Sequence, residues 1–332
     1  MELQTLLAFF IAAAISLVAA AFLTALRPRA LSGRPRANWW RDGALIGPIS
    51  LGLGFVLTAP FIRGDWPQWP PSQAVDRTIW LVACSAAASI VLGLRFIPSL
   101  LAWLLAAAAG AWAITAYPLG RILSEGSSTP APGTWRIGII AAVTLLSLIA
   151  ASALACAHRA SRQPPPTPPP TTTSRLATRL WAVAGFTIIL AFAGPAGLFS
   201  YSVQFGQLLA VLFGAWCGLA LCALITRVSL APAAVTALTA LAAIWLCTYF
   251  FSVPPEETPE AITIKRASFA LLALAPLGLA IGLLPFWKRR PRARFAAVLT
   301  ACGLLAAAAF AIQAPSYLRN AAESAADPYA NP

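Results

Sequence analysis

The chain has 332 residues, 59% of them hydrophobic and only 10% charged, with a formal net charge of +13 at pH 7. Soluble domains carry charge on about a quarter of their residues, so this composition excludes an ordinary water-soluble domain. The positive excess lies in the gaps between apolar segments, where it reads as membrane topology and not as a nucleic-acid surface.

Ten apolar segments follow one another, at 3–26, 44–62, 79–94, 97–117, 137–157, 180–199, 203–225, 228–251, 267–287 and 295–314. Each is 16 to 24 residues long and free of Asp, Glu, Lys, Arg and His. A helix rises ~1.5 Å per residue, so about 20 such residues cross a ~30 Å hydrocarbon core. A lipid-facing backbone has to satisfy its own hydrogen bonds, and barrel strands would alternate polar with apolar residues; Ala- and Leu-rich runs therefore predict helices. The fold class expected is all-α: a polytopic integral membrane protein, a bundle of about ten transmembrane helices.

The first segment is not a secretory signal. Glu2 stands where a positive charge belongs, and the apolar run is too long. In the second segment, Gly47 and Pro48 form a candidate helix break. The loop that follows reads Arg63-Gly-Asp-Trp-Pro-Gln-Trp-Pro-Pro, and Trp66 and Trp69 are its aromatics, flanked by Asp65 and Asp76. They are either interfacial anchors or a flat platform for a lipid or sugar. Arg95 and Pro98 divide the third segment from the fourth with a tight turn.

At the middle lies a Pro/Thr/Arg-rich stretch, 158–179, containing a run of prolines that extends stiffly and cannot be helical. It serves as a linker or as a docking site for a polyproline-reading module. The expected organisation is thus a membrane half at 1–157 with helices 1–5, a cytoplasmic linker at 158–179, a second half at 180–314 with helices 6–10, and an exposed tail at 315–332. Gly194 with Pro195 in the sixth segment, and Pro276 with Gly278 in the ninth, complete the candidate breaks. Gly43/Gly47, Gly214/Gly218 and Gly278/Gly282 are small-residue pairs suited to close packing within the chain or between two copies.

Charge orders the segments across a membrane. The gaps 27–43, 95–96, 158–179, 226–227 and 288–294 hold 16 Lys/Arg and one acid, Asp42; the alternate gaps and termini hold the remaining seven basic and nine acidic residues, completing the 23 and 10 of the chain. The positive-inside bias places the first set in the cytoplasm and both termini on the non-cytoplasmic side of the inner membrane. Tyr117, Tyr201, Tyr249 and Tyr317 then fall at outer helix ends, as interfacial aromatics should.

No catalytic, cofactor-binding or metal-binding residue is predicted, and no cofactor. The six cysteines are all within apolar segments without paired spacing, and His158 is the single histidine. No GxSxG, HExxH or phosphate-loop pattern occurs. Uncharged segments argue against proton pumping, which keeps an ionisable group at mid-bilayer. Three functions fit: a permease-like protein for a neutral or apolar substrate using the broken helices, a non-catalytic membrane subunit or scaffold of a larger assembly, and a membrane enzyme using outer-face carboxylates. The expected partners are membrane lipids, with anionic headgroups at the cytoplasmic face, and a membrane protein or second copy; no nucleic acid is expected.

Overall fold

The computed structural model describes residues 2–26, 39–71, 73–92, 99–117, 119, 132–162, 172–198, 203–226, 228–251 and 259–326. Its helices are α1 (Glu2–Ala25), α2 (Trp39–Arg63), α3 (Ala74–Leu92), α4 (Ser99–Ala116), α5 (Pro132–Arg162), α6 (Thr172–Leu198), α7 (Val203–Thr226), α8 (Ala231–Phe251), α9 (Pro259–Leu274), α10 (Gly278–Leu283) and α11 (Pro291–Ala326). Short 3-10 turns at Ala275–Leu277 and Pro285–Arg289 flank α10. The described residues contain no strand, and the class is all-α.

Eight helical spans are long and apolar enough to cross a membrane: α1, α2, α5, α6, α7, α8, the α9–α10 composite and α11. This is fewer than the ten segments predicted. Helix α4 is apolar but short, and α3 carries Asp76 and Arg77 in its first turns.

Several helices overrun their apolar segments, because hydropathy marks where the apolar run ends while backbone hydrogen bonding continues to the next breaker. Helix α2 begins at Trp39 and α3 at Ala74; α5 runs to Arg162 and α6 begins at Thr172. The two helices thus take up the flanks of the predicted linker, whose residues 163–171 lie outside the described residues. Helix α11 continues through Pro315 to Ala326, into the predicted tail. Pro132, Pro259 and Pro291 occupy first helical positions, where a missing N–H costs nothing and φ is already set.

Helix α2 runs unbroken through Gly47 and Pro48, and α6 through Gly194 and Pro195. One absent backbone donor is tolerated in a long apolar helix, where the ladder on either side continues. Only at Pro276 does the ladder change, to the 3-10 turn Ala275–Leu277 before α10.

Contacts fix the relative directions. Helices α1 and α2 are antiparallel, joined by Gln4 Nε2 donating to Phe61 O at 2.6 Å and Ser16 Oγ donating to Ser50 O at 2.8 Å. Helices α1 and α7 are parallel and touch backbone to backbone: a Cβ at Gly214 would overlap the Phe9 carbonyl, and one at Gly218 the Ala13 carbonyl. Helices α3 and α8 are antiparallel, with Thr78 Oγ1 3.8 Å from Cys247 Sγ and Ser89 Oγ 3.4 Å from Thr236 Oγ1. The α9–α10 composite packs antiparallel on α11, through Ser268 Oγ donating to Ala309 O at 2.7 Å and Gly278 against Cys302.

Helix α8 is the axis of the bundle: 78% of its span is buried, against 22% for α1 and for α11. It packs chiefly on α2, α3, α4, α5 and α7, and also touches α6 and α9, the latter through Trp245 Nε1 donating to Phe269 O at 3.2 Å. Ala233, Ala234, Ala237, Ala240, Ala243 and Cys247 are fully buried along it, and such small side chains let several neighbours close around one helix. Gly47 of α2 meets Ala233, and Gly110 of α4 meets Thr239. The predicted small-residue pairs Gly214/Gly218 and Gly278/Gly282 are likewise used inside the chain.

Candidate functional site

Two ends of the bundle can be told apart. Arg63, Asp76, Tyr117 and the C-terminal turns of α8 gather at one, here the tryptophan end; the close of α5, the start of α6 and the α7–α8 turn form the other, the linker end.

At the tryptophan end, Arg63 closes α2 and Asp76 stands in the first turn of α3, where a carboxylate also favours the helix dipole. Arg63 Nη1 pairs with Asp76 Oδ1, with the arginine side chain 9% exposed and the aspartate not at all. Asp76 Oδ2 accepts no hydrogen bond among the described residues. A buried charge must have a partner or be neutralised, so the pair locks the α2–α3 hairpin from within.

The loop above it is held from α3. Gly64 takes φ +83° and donates its N–H to Pro60 O at 2.8 Å, a left-handed C-cap that only glycine makes without strain. Gly64→Ala is expected to lower stability by about 1 kcal/mol, read as a reduced midpoint of thermal unfolding in detergent, although the site has open space for the methyl group. Trp80 Nε1 donates to Gln68 O at 3.1 Å, and Arg77 Nε donates to Pro71 O at 3.4 Å. Arg77 also lies over the Tyr117 ring, 5.8 Å from its centroid, and its Nη1 reaches Tyr117 O at 3.5 Å. Trp69 stands edge-on to Trp80 with ring centroids 5.2 Å apart.

Trp66 and Trp69 remain 65% and 74% exposed on this braced loop. Helix α2 just before the loop also exposes Leu53, Leu57 and Phe61, at helical spacing. Asp65 is exposed while Asp76 is buried in the ion pair, so the two loop carboxylates do not converge. Glu256 and Glu257 lie outside the described residues, and Glu260 belongs to the first turn of α9.

The candidate breaks sit on three different neighbours. Gly47 meets Ala233 of α8, Gly194 comes within 3.8 Å of the Ala210 backbone of α7, and Gly278 meets Cys302 of α11. Pro48 and Pro276 are buried and Pro195 is exposed. Hydroxyls act mainly as interhelical or back-bonding links: Trp216 Nε1 donates to Thr187 Oγ1 at 3.0 Å, and Gln207 Nε2 to Thr5 Oγ1 at 3.2 Å.

Two features escaped the sequence reading. One is the Arg63–Asp76 pair, whose signal was Ala74-Val75 before the acid, enough apolar sequence to start α3 early. The other is at the linker end: Arg294 is buried in α11, stacked 5.4 Å from the ring centroid of fully buried Trp181, which Gly282 abuts. Charge placement had put Arg294 in a solvated loop. No group of three or more metal-capable side chains occurs among the described residues, and the six cysteines are free thiols.

No known protein family, no curated protein and no solved structure matches this chain.

Proposed function

We propose that the chain is a multi-pass membrane protein crossing the bilayer ten times and working as a non-catalytic, close-packed membrane subunit. The packing of α8 carries this reading. A transport path needs an open space lined by groups that can meet a solute, whereas the centre of this bundle is filled by fully buried Ala, Thr and Cys side chains of α8, closed over by the helices around it. The count of ten rests on α3 and α4. Helix α3 runs beside α8 from Thr78 at Cys247 to Ser89 at Thr236, and Gly110 of α4 meets Thr239 on the same helix. These contacts with a full-length span support reading each short helix as a crossing. Positive-inside charge then puts the linker end in the cytoplasm and both termini outside.

Thiol accessibility tests the packed-core reading. In a variant with the native cysteines replaced by alanine, Thr239→Cys should resist a water-soluble maleimide in intact membranes. Ready labelling from either side would mean that water reaches α8, and a transport path would replace the subunit reading. A C-terminal reporter fusion should report the non-cytoplasmic side.

A permease for a neutral substrate is the second reading, favoured by the change of helix type at Pro276, since interrupted helices expose backbone groups that can bind without charge. Under it, Pro276→Ala changes uptake without impairing membrane insertion.

A further inference from the structure

At the linker end, a cleft of about 60 Å³ opens between α5, α6, α7 and the turn leading into α8. Its walls are apolar, among them Leu154, Val183, Leu224 and Val228, while His158 and Arg179 supply its polar edge. Arg179 is exposed, and no described carboxylate pairs with it. Its own surroundings supply little to neutralise it: residues 126–255, which include all of α5 to α8, contain no Asp or Glu and six Arg. Among the described residues no carboxylate stands at this cleft, so a cation at an apolar edge is left open to a ligand of opposite charge.

We propose that this cleft binds an acidic phospholipid, its phosphate held by Arg179 and its chains lying along α7. The cleft holds about two waters by liquid volume, enough for part of a headgroup and too small for a whole amphiphile. The remainder has an apolar track beside it: Leu221, Leu224 and Ile225, at helical spacing, are 51%, 49% and 74% exposed. That track selects a lipid over free phosphate, and basic pockets between membrane helices are where acidic headgroups bind. The site rests on the membrane reading above and deepens it by naming the lipid class.

The test measures lipid binding to the purified full-length chain in a neutral detergent, by native mass spectrometry and by thermal unfolding. Phosphatidylglycerol should bind and raise the unfolding midpoint; phosphatidylcholine and inorganic phosphate should do neither. Arg179→Gln should weaken phosphatidylglycerol binding about fivefold, the effect of one arginine near a headgroup. Arg179→Lys should keep most of it, and Arg266→Gln, at the opposite end, should leave it unchanged. Equal binding of the two lipids, reproduction of the effect by phosphate alone, or an Arg179→Gln variant indistinguishable from the parent would overturn the proposal while leaving the membrane reading intact. A chain that stays monodisperse without detergent would overturn both.

Discussion

Asp76→Ala is expected to destabilise the folded protein by about 3–5 kcal/mol, the usual cost of removing one member of a buried ion pair. The aspartate is fully buried and its partner nearly so, and solvent therefore does little to screen the charge left behind. The loss comes from the stranded Arg63 guanidinium more than from the missing carboxylate. It follows that Arg63→Met/Asp76→Leu, which removes both charges and keeps apolar bulk, should recover most of the stability that either single change loses. Fractional unfolding in a mixed-micelle denaturant series measures all four variants. A double variant as unstable as the single ones would mean that the pair does more than cancel its own charges. Local damage should appear first at the tryptophan loop, because the pair sits beneath the Gly64 cap and one turn from Trp80 and its bond to Gln68.

Gly218→Val should cost about 3 kcal/mol, the upper part of the range for overpacking. The obstacle is the Ala13 carbonyl, with the Ala13 Cα 3.0 Å from the position of the added Cβ. A flexible side chain could swing away, but a helix backbone moves only as a unit. Helix α1 would therefore have to lift off α7, stretching the Gln207–Thr5 hydrogen bond one side of the contact and loosening Gly54 against Ser16 on the other. Gly138→Ala is the matching control. Nothing lies within 4 Å of its added Cβ, and exchange of a helical glycine for alanine should be neutral or stabilising by up to ~1 kcal/mol. Thermal unfolding of the two variants in one detergent separates close backbone approach from a general intolerance of substitution at glycine.

The two variants also mark how far the chain could be read before its fold was known. Helix positions were legible because lipid-length runs such as 3–26 and 203–225 leave the backbone no alternative to internal hydrogen bonding. Helix ends were less legible. Asp76 and Arg77 lower the hydropathy before residue 79, yet α3 starts at Ala74, since a buried ion pair makes a charged first turn tolerable. Local chemistry alone makes each glycine-proline pair a candidate break. Pro276 does interrupt its helix, whereas Gly47-Pro48 and Gly194-Pro195 do not, and burial does not separate them, since Pro48 is buried like Pro276 and Pro195 is exposed. Gly214 and Gly218 could be recognised as a packing pair, but not α1 as their partner, about 200 residues away in sequence.

Composition and segment length by themselves determined that the described chain folds as long apolar helices, because an uncharged run of this length has one low-energy backbone. Charge order along the gaps is likewise a one-dimensional property and needs no coordinates. Only the tertiary structure decided that α8 is the axis, that Arg63 and Asp76 neutralise each other, that Arg294 lies over Trp181, and that Arg179 edges a cleft on helices without a carboxylate. Each of those depends on which side chains meet across helices. Ala- and Leu-rich faces of nearly equal hydrophobicity do not encode their neighbours one at a time; the pairing emerges when all the helices are packed together.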